Sequence, residues 1–221
     1  MHKLVVAILF CLISTPSFAA DSPKTEDQKT LYALGHIMGS QLSVFALTPG
    51  ESEPVKEGFA DAINGKASGV DIETYGSKVH QLALARNKAL EEKQTSVGKE
   101  FADKAAKEKG AVKTESGLVY LSLKEGTGAT PNATDTIVVN YRGTLTDGKE
   151  FDSSYKRNKP LEFKLGSVIK CWTEGMQRMK VGGKAKLVCP SSIAYGEKGA
   201  GGYILPGATL VFEVELLDIK K

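Results

Sequence analysis

Between Asp71 and Thr130 the chain contains no proline, and from Gly117 onward glycine recurs at short intervals. Proline breaks helix interiors and glycine weakens them, so the contrast divides the chain into a helix-forming half and a strand-forming half. The most demanding stretch starts at Asp71, an N-cap residue type, and runs to about Lys109, with Gly110 as the residue just past the end. At 1.5 Å per residue such a helix reaches about 58 Å, longer than a small domain is wide. Its first part carries Ile72, Tyr75, Val79 and Leu82 on one face. Its second part, Glu91 to Lys109, is dense in charge and offers Val97 and Phe101 as its large apolar groups. A helix polar nearly all round reads as solvent-bridging between domains.

Two shorter helices precede it. Thr25-Glu26-Asp27-Gln28 has the form of a capping box, and Leu31, Leu34, Met38, Leu42 and Phe45 follow as one helical stripe. Pro49-Gly50 breaks the chain, and Val55, Phe59, Ala62 and Ile63 mark a second helix stopped by Asn64-Gly65. Roughly 80 residues of helix make a thin core. A homodimer built by residues 25–90 would bury the stripes; an intramolecular bundle with a frayed stalk is the alternative.

The start of the chain reads as a cleavable leader. Lys3 precedes an apolar run from Leu4 to Ile13, and Ser17-Phe18-Ala19 places small residues where a signal peptidase reads them. The run is too short to span a bilayer, and no later stretch is an apolar span. Cys11 sits inside the run without small residues before it, which does not favour lipid attachment. The expectation is an exported protein without an integral membrane segment, periplasmic in a Gram-negative source, with association to the outer membrane left open. Such a compartment allows the remaining cysteines, Cys171 and Cys189, to pair.

Composition excludes several chemistries. The formal net charge is +3, from 29 basic and 26 acidic residues, too balanced for a nucleic-acid footprint. All three histidines, His2, His36 and His80, lie in the first 80 residues, and no CxxC pair occurs. The second half therefore holds no Ser-His-Asp triad and no Cys/His zinc site. It does hold strand patterns: Leu118–Leu123, Thr136–Leu145, Leu161–Leu165, Lys184–Cys189 and Thr209–Ile219. Asp147-Gly148 signals a hairpin, and Trp172 to Met179 reads as one short helix ended by Val181-Gly182-Gly183. The fold class is α+β: an antiparallel sheet with a short helix across one face, behind an all-α domain with a long connecting helix.

Five blocks of residues follow one another in this half. They are Val139-Asn140-Tyr141-Arg142-Gly143, then Asp147 to Ser154, then Val168-Ile169 with Trp172, then Ala194-Tyr195-Gly196, then Ala208 to Phe212. In this order they resemble an FKBP-type peptidyl-prolyl cis-trans isomerase from about Gly117 to Ile219. The helical half and its leader are similar to the Mip/FkpA class of bacterial isomerases. The organisation this implies is a signal peptide at 1–19, a helical dimerisation domain and connecting helix at 20–110, and an FKBP-like domain at 111–221. Singly, Phe212 reads as a core residue, Trp172 as packing and Tyr195 as a turn residue; their combined order and spacing argues for a pocket.

The resemblance implies roles for this chain's residues. Trp172 matches the pocket floor, Tyr141, Phe151 and Phe212 its walls, and Val168 and Ile169 its rim, where the Ile169 backbone N–H would bind a substrate carbonyl. Tyr195 matches a ligand-bonding phenol, Asp152 the carboxylate facing the twisted amide, and Arg157 the arginine that pairs with Asp152 and Tyr195 and fixes their orientation. Asp152, Tyr195, Phe151 and Tyr141 would then be the catalytic group, with the others binding substrate. Leu161 replaces an aromatic, Tyr203 and Ile204 match a substrate-facing pair, and Lys170-Cys171 replaces a Pro-Gly. For Cys171 and Cys189 two readings stand: a disulfide worth roughly 3 kcal/mol in the loop-entropy model, or two buried free thiols. The family implies no cofactor and no metal, macrolide inhibitor binding, and unfolded or partly folded proline-containing polypeptides as partners. A non-catalytic holdase that clamps clients between two helical arms is the rival reading.

Overall fold

Capping chemistry sets where the three long helices begin. The computed structural model describes residues 22–220, so the leader expected at 1–19 lies outside the described residues. The chain divides into two compact units, up to Ile37 and from Met38 on. In the first, Gln28 N–H donates to Thr25 Oγ1 and Thr25 N–H to Gln28 Oε1, both at 3.2 Å, closing the expected capping box. Helix α1 (Glu26–Ser40) follows without a single buried residue, and Leu31, Tyr32 and Leu34 are each more than half exposed.

The second unit opens differently from the expectation. The apolar stripe does not continue as α-helix to Phe45: residues Gln41–Phe45 tighten into a 3-10 turn, and Ala46 at φ 45° reverses the chain. Helix α2 (Pro49–Ile63) starts earlier than expected. Pro49 occupies its first position, where a missing N–H costs nothing, and Thr48 and Glu51 form a second capping box. Helix α3 (Ile72–Ala105) is capped by Asp71, whose Oδ1 accepts the Glu73 N–H at 3.1 Å. Arg86 on α3 pairs with Glu51 at 2.5 Å and donates to the Phe45 carbonyl at 3.3 Å, tying α3 to both preceding segments. Helix α3 stops four residues short of Lys109, and Gly110 at φ 86° turns the chain into the sheet.

Among the described residues seven strands, not five, make one antiparallel sheet in the order β1-β2-β6-β7-β3-β4, with β5 also on β3. They are β1 (Ala111–Lys113), β2 (Val119–Lys124), β3 (Thr136–Leu145), β4 (Glu150–Ser153), β5 (Leu161–Lys164), β6 (Lys184–Cys189) and β7 (Leu210–Lys220). The two unforeseen strands, β1 and β4, have three and four residues, too few to display an alternation. The short helix α4 (Lys170–Met176) crosses one face, where Trp172 and Met176 pack with Leu187, Leu210, Phe212, Val214 and Leu216. Cys171 and Cys189, both fully buried, are joined in a disulfide with 5.7 Å between their Cα atoms.

The opposite face of the sheet is covered by the end of α3. Ala102 and Ala105 are buried there with Val119 and Val188, beside Val211. One helical turn earlier, Gly98 lets the helix backbone press against Thr209: a Cβ built on it would stand 2.1 Å from Thr209 Oγ1. This corrects the reading of the charged half of α3 as a solvent-bridging segment. Its buried stripe is made of Gly98, Ala102 and Ala105, small residues that a count of large apolar groups passes over.

The docking is testable with two glycines of one helix. Gly98→Val is expected to lower stability by about 1–3 kcal/mol through overpacking. Gly76→Ala, whose Cβ meets nothing within 4 Å, should raise it by up to about 1 kcal/mol. Urea midpoints at one protein concentration measure both; an unchanged midpoint for Gly98→Val would show that α3 does not dock.

Candidate active site

The pocket is assembled from β3 and the three strands bonded to it. Strand β3 pairs with β7 along one edge, and with β5 and then β4 along the other. Between the last two, Ser154 takes over the pairing: its N–H donates to the Tyr141 carbonyl at 3.0 Å and its Oγ accepts the Tyr141 N–H at 2.9 Å. That closure fixes Tyr141 in the middle of the strand. Gly143, two residues on, faces Asp152 across β4 and Phe212 across β7. A Cβ there would come within 2.7 Å of the Phe151 ring and 2.9 Å of the Phe212 ring, so the two aromatics share space that only glycine leaves.

A cavity of about 380 Å³ results, lined by Tyr141, Phe151, Asp152, Leu161, Val168, Ile169, Trp172, Tyr195 and Phe212, all expected, and by Ser167, which was not. The Trp172 indole meets Tyr141 and Phe212 edge-on, with centroids 5.0 and 5.2 Å apart, and Phe151 meets Phe212 in the same way at 5.7 Å. Edge-to-face contacts of this kind add about 0.5–1.5 kcal/mol each beyond burial, which stiffens the cradle. Leu161 makes part of one wall aliphatic, but Phe163, two residues along β5, restores a ring 5.4 Å from the indole. Among the described residues, the Ile169 N–H and the Tyr195 hydroxyl have no protein partner. Both residues line the cavity.

One carboxylate stands among these apolar walls. Asp152 accepts from the Tyr141 hydroxyl and from Arg157, and its Oδ1 accepts the Ser153 N–H at 2.8 Å. Arg157 also donates to the Tyr141 hydroxyl at 2.8 Å, so the tyrosine it orients is Tyr141 and not, as expected, Tyr195. Arg157 comes from the 3-10 turn Tyr155–Arg157 after β4 and stands behind the lining, so it orients the pair without touching the cavity. Burial alone would raise the Asp152 carboxyl; the bonds from Tyr141 and Arg157 outweigh it and hold the group below its ordinary value. Burial first, then the bond to Asp152, push the Tyr141 phenol up to about 12.

Tyr203 and Ile204 are not brought to the cavity. Ala200 and Ile204 bond to each other backbone to backbone at 2.9 and 3.0 Å, across a tight loop with Gly201 and Gly202 at positive φ. That loop buries Ile204 in the core and leaves Tyr203 exposed. The sequence reading also passed over Ser154, Gly143 and Phe163. Gly143 and Ser154 lie inside blocks that the resemblance rests on but without a role assigned to them, whereas Phe163 carries no signal of its own.

An apolar cradle with one fixed anion, one open N–H and one open hydroxyl is built to bind and distort an amide, not to make or break a covalent bond. Fold and pocket together define an enzyme that turns peptide bonds. The chain belongs to the FKBP-type peptidyl-prolyl cis-trans isomerases: that family's model matches residues 127–217, and the domain amino terminal to it matches residues 27–121. It is similar to FkpA from Escherichia coli, 42% identical over 221 residues, 93% of this chain and 81% of that protein. It is also similar to Mip from Coxiella burnetii, 34% identical over 230 residues with both chains fully covered. The crystal structure of E. coli FkpA matches it with a TM-score of 0.67 at 41% identity, covering 90% of this chain and 99% of that one.

The lowered carboxyl and raised phenol set the pH behaviour. Asp152, with its folded value depressed, keeps its charge and its bonds above the ordinary carboxylate range and loses them as pH falls through that lowered value. Turnover of a prolyl peptide is therefore expected to be flat from about pH 5 to 9, between the ordinary carboxylate and phenol ranges. In Arg157→Gln the acid limb should move toward neutrality, because burial then opposes the charge with one partner fewer. An acid limb that stays in place would show that Arg157 does not set the ionisation.

Proposed function

We propose that the chain speeds Xaa-Pro isomerisation in exported proteins as they fold, working in the periplasm as a homodimer joined through residues 25–90. The observation that carries the catalytic part is the Asp152 carboxylate fixed by Tyr141 and Arg157 inside an aromatic cavity. An Xaa-Pro bond faces a barrier of about 18–20 kcal/mol because the amide is conjugated. The cavity strips water from the amide and so weakens its charge-separated form. The Ile169 N–H and Tyr195 hydroxyl hold the flanking carbonyls while Asp152, staying ionised, faces the turning bond electrostatically. Proton transfer is not needed, because it does not relieve the conjugation. The same cradle suits a macrolide inhibitor, whose large apolar ring needs few polar contacts.

The apolar faces of the helices support the dimer. Helices α1 and α2 bury no residue within one chain, and Ile72, Tyr75, Val79 and Leu82 on α3 are exposed. Export rests on the leader pattern at 1–19. The same exposed faces favour a second activity, the holding of unfolded clients, which would not use the cavity.

Phe151→Ala is expected to lower kcat/KM on a short prolyl peptide about 10- to 100-fold, roughly 1.4–2.7 kcal/mol of barrier. Suppression of aggregation of an unfolded client should survive in the same variant. A parent without peptide turnover would overturn the catalytic reading and leave the holdase in first place. Sedimentation of the chain from Ala20 should give twice the single-chain mass, and Leu31→Asp with Leu34→Asp should halve it without altering turnover per site. A parent that sediments as single chains would overturn the dimer.

A further inference from the structure

Val168 lines two cavities. On one side lies the aromatic pocket, and on the other a groove of about 420 Å³ along α4, whose polar edge is Ser116, Lys170, Thr173, Glu174 and Gln177. The groove is comparable in volume with the pocket and falls in the range of small-ligand sites. Its polar groups are not equivalent. Ser116 donates to Glu174 at 2.6 Å, and Arg178 stands 3.9 Å from the other Glu174 oxygen, so that carboxylate is partly compensated. Thr173 donates its hydroxyl to the Leu165 carbonyl at 2.9 Å, and Gln177 gives its amide N–H to the Thr173 carbonyl at 2.8 Å, keeping its own oxygen as an acceptor. Lys170 is exposed and has no acidic partner among the described residues.

A polypeptide whose prolyl ring sits in the pocket is continuous, so its neighbouring residues must lie on adjoining surface. The rim at Val168 and Ile169 separates the pocket from the groove by one side chain. Ile169 also carries the open N–H, which draws the client backbone to that rim. We propose that the groove is a subsite for the client segment flanking the proline, taking it as an extended strand with an acidic side chain opposite Lys170. This rests on the pocket being the prolyl site. Contacts so far from the turning bond are made alike in ground and transition states, so they lower KM and leave kcat unchanged. An exposed charge pair of this kind changes KM by about two- to fivefold.

The test compares a prolyl tetrapeptide with peptides extended by four residues on either flank, the added residues including either glutamate or lysine. The proteins are the parent, Lys170→Glu and Gln177→Ala. Both positions are exposed, and an acidic residue at the start of α4 suits the helix dipole, so both variants should fold. The tetrapeptide should be turned over equally by all three. In the parent, the glutamate-bearing extension on one flank should lower KM about two- to fivefold below its lysine counterpart. Lys170→Glu should reverse that preference, and Gln177→Ala should reduce the gain from extension. Extension without effect on KM, or a charge preference that survives in Lys170→Glu, would overturn the subsite. Absence of tetrapeptide turnover in the parent would overturn the prolyl-site reading itself, and the subsite with it.

Discussion

Strand β3 is the constraint from which the rest of the isomerase half follows. It is ten residues long and alternates buried and less buried positions, so its register with β7 is set by which side chains face the core. A slip of one residue would turn Ile137, Val139 and Tyr141 out of the core together. With that register in place, β4 brings Phe151 and Asp152 to one end of its free edge and β5 brings Leu161 and Phe163 to the other. Helix α4 then has one place to lay Trp172. The pocket floor is held from behind as well, because the Cys171–Cys189 bond joins the start of α4 to the end of β6.

The chemistry explains why the site contains so little that is reactive. Rotation about a conjugated amide needs an environment that favours the twisted form, and rings packed edge to face provide a rigid, dry one. A carboxylate in such surroundings would tend to take up a proton. Tyr141 and Arg157 prevent this by hydrogen bonds and charge, and Tyr141 in turn keeps its own proton. The cavity thus holds a negative group of fixed position and fixed ionisation, which is what an electrostatic role requires and what proton shuttling would not.

The two ends of α3 follow different rules. Its first turns expose Ile72, Tyr75 and Val79, large groups with no cover in a single chain. Its last turns present glycine and alanine to the sheet and let the backbones approach closely. Large side chains left uncovered invite a second surface, whereas small ones already in contact do not. Hydrophobic periodicity detects the first kind of face readily and the second poorly, since alanine and glycine contribute little to a pattern of large apolar residues.

Periodicity and local chemistry were enough to read the long helix with its Asp71 cap, the capping box at Thr25 and the Asp147-Gly148 turn from the sequence. Periodicity also gave the five longer strands, whereas nine of the ten residues lining the cavity came from the resemblance to the isomerase family, whose separated blocks carry distinctive side chains. Local signals have short range, however. They could not show that Ser154 substitutes for strand pairing at Tyr141, that Phe163 reaches the indole, or that Ile204 turns inward once Ala200 bonds across its loop. Nor could they join Gly98 to Thr209, which lie far apart in the chain. Those facts depend on where separate segments meet, and only the tertiary structure decides that, because packing distances between distant residues leave no local trace in the residues themselves.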